Sequence, residues 1–267
     1  MNTTARFSDR VENYIKYRPS YPPELIEYLQ RELGLDPGSV VADVGSGTGI
    51  FTELLAKTGA TIFAVEPNVP MREASEQLLA LYPNIRHIGG TSDATTLADH
   101  SVGIITAAQA FHWFDPESAR TEFLRILKPD GWVVLVWNDR EIDATPFLQE
   151  YESLLLTHGT DYKDVSHAWG DLTAMRTLFG GEYRHVTFEN RQVFGLEGML
   201  GRLLSSSYVP NEGPALEAMI AAFTDLFRQH ADDGRVVFEY TTNVYYGQID
   251  VKTDNFSETT SRQPELE

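Results

Sequence analysis

The chain has no cysteine. Disulfides, thiolate metal sites and cysteine nucleophiles are thereby excluded. Positive charge is scarce: 21 Lys and Arg stand against 39 Asp and Glu, for a formal net charge of −18. Phosphate neutralisation dominates nucleic-acid binding, so this balance speaks against DNA or RNA as a partner. It speaks equally against an anionic membrane surface; its plain consequence is solubility. No apolar run approaches the roughly 20 residues a membrane helix needs. The opening Met1-Asn2-Thr3-Thr4-Ala5-Arg6 lacks the apolar centre of a secretory signal. A soluble cytoplasmic protein is expected, a monomer or homodimer with no membrane or nucleic-acid partner. There is also no internal repeat and no low-complexity linker. What is present suffices for a sizeable core, since 42% of the 267 residues are hydrophobic. The length suits one large domain or a domain with an insertion.

From residue 40 onward, strand and helix patterns alternate. Strands are expected at Val40–Val44, Thr61–Val65, Ile85–Ile88, Val102–Ala107 and Trp132–Trp137, the last after a Lys128-Pro129-Asp130-Gly131 turn. Helices are expected at Glu24–Leu33, Ile50–Lys57, Met71–Leu81 and Pro116–Leu127, the last capped by Asp115 with Pro116 in its first position. Such alternation specifies a parallel sheet with helices on both faces. Beyond Asn138 the pattern turns to helices around 146–157, 171–179, 196–206 and 214–229. One long strand, Tyr183–Phe194, interrupts them, and a second, Arg235–Ile249, follows the last. The expected fold is α/β: a doubly wound, seven-stranded, mostly parallel Rossmann-like sheet with an antiparallel edge hairpin and helical insertions. Its parts are an arm and helix over the site (1–33), a cofactor core (34–139), substrate-side insertions with the last strands (140–249), and a polar tail (250–267).

The most informative stretch is Val40-Val41-Ala42-Asp43-Val44-Gly45-Ser46-Gly47-Thr48-Gly49, with Glu66 17 positions after Gly49. An apolar strand enters a glycine turn, a helix follows, and a second strand ends in an acid able to accept from both hydroxyls of a ribose. A dinucleotide site wants G-x-G-x-x-G over a pyrophosphate. Here position 50 is Ile, the third glycine comes one residue early, and Asp43 would sit badly beside a phosphate. It would sit well beside a cation. The D-x-G-x-G-x-G block resembles motif I of the class I S-adenosylmethionine (SAM)-dependent methyltransferases, whose cofactor carries an ammonium and a sulfonium but no phosphate.

The resemblance extends further. Thr91-Ser92-Asp93-Ala94-Thr95, and above all Gln109-Ala110-Phe111-His112-Trp113-Phe114-Asp115, resemble the trans-aconitate methyltransferase-like branch of small-molecule methyltransferases. So do Tyr14-x-x-Tyr17-Arg18-Pro19-Ser20-Tyr21-Pro22, Trp137-Asn138-Asp139-Arg140 and Ser205–Pro210. The chain departs from the pattern at Gly103, where an aspartate is usual, and at Asp93, where Glu is commoner.

The resemblance implies SAM as cofactor, with Asp43, Gly45, Ser46, Gly47, Thr48 and Gly49 at its methionine end and Glu66 on the ribose. Pro67 and Met71 would lie on the adenine face, although a Met in this place is commonly core filler. Ser92 and Asp93 would meet the adenine edge; the alternative is a helix cap. Tyr14 and Arg18 are candidates for the cofactor carboxylate, the alternative for Arg18 being a surface ion pair. Gln109, His112 and Trp113 would face methyl group and substrate, and His112 is either a wall or a general base. Asn138 and Tyr208 join the substrate candidates, with His167, Trp169, Ser205 and Ser206 as further lining. No residue is assigned to a metal. The implied activity is methyl transfer to a small-molecule acceptor, through oxygen of an organic acid or similar metabolite. An acidic protein taking an acidic substrate needs arginines at the site, and Arg18, Arg140 or Arg202 could serve. Alternatives are a methyltransferase acting on protein or another macromolecule, and an NAD-dependent oxidoreductase.

Overall fold

A computed structural model describes residues 15–160, 162, 172–206 and 208–249. The strands are β1 (Val40–Val44), β2 (Thr61–Val65), β3 (Ile85–Ile88), β4 (Val102–Ala108), β5 (Leu127–Arg140), β6 (Arg184–Phe194) and β7 (Val236–Gly247). The helices are α1 (Pro23–Leu33), α2 (Ile50–Ala56), α3 (Val69–Leu78), α4 (Pro116–Ile126), α5 (Pro146–His158), α6 (Leu172–Phe179), α7 (Leu196–Leu204) and α8 (Pro214–His230). The strands form one sheet in the order β3-β2-β1-β4-β5-β7-β6. The first five are parallel, and β7 lies antiparallel between β5 and β6.

Alternating side chains of β1 feed two cores. Ala42 and Val44 pack with Phe123 of α4 and Met175, Leu178 and Phe179 of α6. Val41 points the other way, into Leu25 and Leu29 of α1 and Phe51 and Leu55 of α2. Both faces are covered, which is why these strands read as nearly continuous apolar runs. The start of β7 leaves that sandwich and carries a third core. There Phe238 and Tyr240 pack with Phe147, Leu148 and Tyr151 of α5, Met199 and Leu203 of α7, and Phe223 of α8. The last strands thus hold a helical cap beside the C-terminal ends of the parallel strands.

Local chemistry sets several boundaries. The Asp115 carboxylate accepts from the Ser118 N–H and starts α4, as the Asp-Pro pair indicated. Asn68 does the same for α3, accepting from Met71 N–H with Pro70 in the first turn. This helix therefore begins two residues before Met71 and ends at Leu78, short of Leu81. Residues 128–131 are not a turn ahead of the strand. Leu127 already pairs with Val102, and the ladder resumes at Ile104–Trp132. The intervening residues form a bulge, with Asp130 at a φ of 63°. A Cβ on Gly131 would lie 3.0 Å from the Gly103 carbonyl oxygen, so the bulge presses on β4 backbone. No described helix is long and apolar enough to cross a membrane.

Candidate active site

Sheet order reverses between β1 and β4, and the crevice beyond their C-terminal ends is where open α/β sheets take ligands. A cavity of about 370 Å³ lies there, within the range of small-molecule sites. The glycine loop forms its floor. Gly45 and Ser46 donate their N–H groups to the Val65 carbonyl, tying the loop to β2. Gly45 has φ 72°, and a Cβ there would lie 2.6 Å from the Ala110 Cβ. Its absence lets the loop close on the segment after β4. Gly49 has another task. It starts α2 at φ 88° and does not line the cavity; a Cβ would meet Ser75 Oγ at 2.5 Å and Leu79 Cδ1 at 2.6 Å. The third glycine of the motif seats α2 against α3.

Asp43 is buried beneath this loop. One carboxylate oxygen accepts from Thr52 Oγ1 (2.6 Å) and the other from Thr106 Oγ1 (2.7 Å). Burial pushes its pKa up to about 6, with both threonine bonds opposing the rise. Glu66, at the end of β2, is also buried. Its Oε2 accepts from Gly47 N–H (2.9 Å) and its Oε1 from Asn68 N–H (2.8 Å). Burial raises its pKa, opposed by those two amide bonds. Each oxygen keeps a further lone pair for a ligand hydroxyl. The hydroxyls of Ser46 and Thr48 line the same cavity, buried and without a hydrogen-bond partner. Unspent donors beside two buried carboxylates fit a ligand that is cationic at one end and bears a diol, as S-adenosylmethionine does.

Most of the sequence-singled residues converge here. Arg18, Asp43, Gly45, Ser46, Gly47, Thr48, Glu66, Pro67, Met71, Ser92, Asp93, Gln109, His112, Trp113, Asn138 and Tyr208 all line the cavity. Met71 is both core and wall, with its sulfur 3.9 Å from the place a Gly47 Cβ would occupy. Ser92 and Asp93 cap no helix. They form the tip of a tight turn closed by Thr91–Ala94 hydrogen bonds. Tyr14, His167 and Trp169 lie outside the described residues. Ser205 and Ser206 are fully buried and do not line the cavity. Arg140 stays away as well, paired with Glu152 at 2.5 Å.

Asn138 belongs more to the wall's construction than to its open surface. Its Nδ2 donates to the Ser20 carbonyl, its Oδ1 accepts from Asn190 and Thr242, and its own carbonyl accepts from Gln109. Through these bonds the segment 15–22 is strapped across the ends of β5, β6 and β7. A second strap runs to α7. Tyr17 lies directly on Gly201 and donates to Glu197 (3.0 Å), while Arg18 Nη2 donates to the Ser205 carbonyl (3.0 Å). A methyl group on Gly201 has no room beneath the Tyr17 ring. Gly201→Ala is therefore expected to lift the segment and weaken binding of S-adenosylhomocysteine roughly tenfold, by one lost wall. Calorimetry beside a thermal melt checks this; unchanged binding would show the segment to be no part of the site.

His112 lies in the short helical turn Phe111–Trp113 after β4. Part of its ring is accessible from the cavity, while dense protein around it lowers its pKa to about 4. It is neutral at physiological pH. The Trp137 indole N–H, a donor only, points at its Nδ1 at 3.5 Å. That contact favours the tautomer with the imidazole proton on Nε2. The positioning threonines Thr52 and Thr106 carry no signal in the sequence, since only the fold brings them to Asp43. Arg202 carries a faint one, an arginine within the Leu196, Met199, Leu203 apolar stripe of α7.

Residues 42–135, from β1 into β5, match a family model described as a methyltransferase domain. A methyltransferase-like protein of Schizosaccharomyces pombe is 34% identical over 205 residues, 76% of this chain and 78% of that one. A methyltransferase of Mycobacterium tuberculosis is 39% identical over 160 residues, 59% of this chain and 62% of its own length. A solved structure from Anaeromyxobacter dehalogenans, described as a type II methyltransferase, superposes with a TM-score of 0.61. It covers 87% of this chain and 98% of its own at 21% identity, a likeness of fold.

Proposed function

The chain belongs to the class I S-adenosylmethionine-dependent methyltransferases, and from that premise we propose that it methylates a carboxylate oxygen of a small organic acid. When bound, the cofactor supplies a methyl group on a sulfonium, open to in-line displacement by an acceptor lone pair. The chain's own residues would hold and orient the two partners. Glu66 takes the ribose diol; Ser92 and Asp93 take the adenine edge, with Pro67 and Met71 on its face. Asp43 sets a negative charge under the loop Gly45–Thr48 at the cationic end, with Gln109 beside it. Arg18 takes the cofactor carboxylate, and the strapped segment keeps water from the sulfonium.

The observation that carries the choice of acceptor is the state of His112. With its Nδ1 facing an indole donor and its pKa near 4, it is a poor proton acceptor. The cavity's buried carboxylates are engaged as well, Asp43 by threonines and Glu66 by amides. A hydroxyl acceptor needs a base, whereas a carboxylate is already ionised at neutral pH. His112 then serves as an Nε2–H donor that orients the acceptor, with Trp113 and Tyr208 as walls.

Mass spectrometry of a panel of small acids incubated with the protein and the cofactor tests this. The expected product is a methyl ester released by alkali; an alkali-stable methyl on nitrogen, carbon or phenol would contradict it. The role of His112 is tested separately. His112→Ala is expected to lose roughly 10- to 100-fold in kcat/KM, the worth of one hydrogen bond to a charged group. His112→Gln keeps a donor near Nε2 and is expected to recover most of that loss. Equal losses in both variants would restore the base.

A further inference from the structure

Arg202 sits on the buried side of α7, in the stripe that sends Met199 and Leu203 into the third core. It is 8% exposed. Its recorded partners are neutral: Nη1 donates to Ser206 Oγ at 3.2 Å, and the hydroxyl of Tyr240 lies within hydrogen-bonding reach. No described carboxylate comes within ion-pair distance, and Nε is buried with no acceptor. Arg140 offers the contrast. It shares the neighbours Tyr151 and Tyr208 with Arg202, is as deeply buried, and has Glu152 as its counter-ion. Among the described residues, then, one of these two buried guanidiniums has a counter-ion and the other has none, in a protein whose acids outnumber its bases by 39 to 21. A guanidinium cannot shed its charge by losing a proton, and an unpaired buried charge is strongly destabilising. Arg202 is also the part of this cluster that, with Tyr208, reaches the cavity wall.

We propose that Arg202 anchors an anionic group of the acceptor, a carboxylate or phosphate separate from the atom that receives the methyl. The separation follows from chemistry. An oxygen locked to a buried guanidinium has its lone pairs engaged and its charge neutralised, so it is a poor nucleophile. The cavity then takes acceptors with two functional ends, one held at α7 and one presented near His112. Ser206, buried beneath, holds Nη1, and Ser205 Oγ donates to the Arg202 carbonyl at 2.7 Å, fixing the turn from which the side chain projects. An acceptor lacking the anchored charge leaves the guanidinium unpaired, and sites of this kind reject such analogues strongly.

This rests on the reading that the cavity takes a small acid, yet it is tested by binding alone. Calorimetry on the protein saturated with S-adenosylhomocysteine would compare succinate, succinamic acid, succinamide and inorganic phosphate. Succinate or phosphate is expected to bind at least roughly tenfold tighter than the neutral diamide. Arg202→Gln is expected to erase that difference while changing S-adenosylhomocysteine affinity less than about threefold. Arg202→Lys, which keeps the charge, is expected to retain part of it. The comparison of diacid with diamide in the unaltered protein needs no variant and decides the matter should Arg202→Gln fail to fold. Equal binding of charged and neutral probes, or no binding of either anion, would overturn the proposal. So would a fall in S-adenosylhomocysteine affinity matching the fall for the probes, which would give Arg202 to the cofactor's carboxylate. Arg202-dependent anion binding without methyl esters would sink the functional reading alone; esters formed with binding indifferent to Arg202 would sink this one alone.

Discussion

Glu66→Ala is expected to lower S-adenosylmethionine affinity by at least about 100-fold. Two hydrogen bonds from a ribose to a buried carboxylate are worth about 1.5–3 kcal/mol each. The free protein also suffers, because the carboxylate accepts from Gly47 and Asn68 N–H groups in the cavity floor. Leaving those buried donors unmet costs about 1–3 kcal/mol apiece, enough to loosen the loop between β1 and α2. Glu66→Gln keeps one acceptor and should fall between the two. Titration calorimetry and a thermal melt on the same samples separate the effects. Near-normal affinity in Glu66→Ala would remove the ribose from this side chain.

Asp43→Asn should move binding and stability in opposite directions. Burial raises the Asp43 pKa from 3.8 to about 6, so the folded protein holds that proton more tightly than the unfolded chain. The contribution to stability is full below pH 4 and is lost as pH rises through about 6. Above that, the ionised group weighs against folding by about 3 kcal/mol. Asparagine keeps the shape and can still bond Thr52 and Thr106, but carries no charge. The ligand-free variant is therefore expected to melt several degrees higher than the parent at pH 7.5, with the gap closing near pH 4. Its cofactor affinity should drop at least about tenfold, since the cationic end loses its counter-charge. A variant less stable at pH 7.5, or one that binds the cofactor normally, would contradict this role.

Fold legibility followed how local each cause is. β1 and β2 stand where their apolar runs placed them, because each is buried along most of its length and nearly every residue type agrees; β3, a half-exposed edge strand, was legible from Ile85 and Ile88. α4 begins where Asp115 and Pro116 indicated, since the cap is a contact over three residues. The bulge at 128–131 read as an ordinary turn, because only pairing of Leu127 with Val102 across the sheet makes it part of β5. The cavity lining was legible through the loops that follow β1, β2 and β4, which topology forces together. Gly49 misled for the same kind of reason as the bulge. Its glycine requirement comes from Ser75 and Leu79 of a later helix, invisible in the motif itself. The state of His112 was hidden too, since Trp137, which faces its Nδ1, comes from the next strand.

Methylation of a carboxylate oxygen is best tested with the cofactor labelled on its methyl group. The protein and a cell extract are incubated with it, and the products are divided into small-molecule, lipid, protein and nucleic-acid fractions. Label that alkali releases is expected in the small acids, and is expected to be absent when Glu66→Ala replaces the parent. Alkali-stable label, or label confined to a macromolecular fraction, would contradict carboxylate methylation.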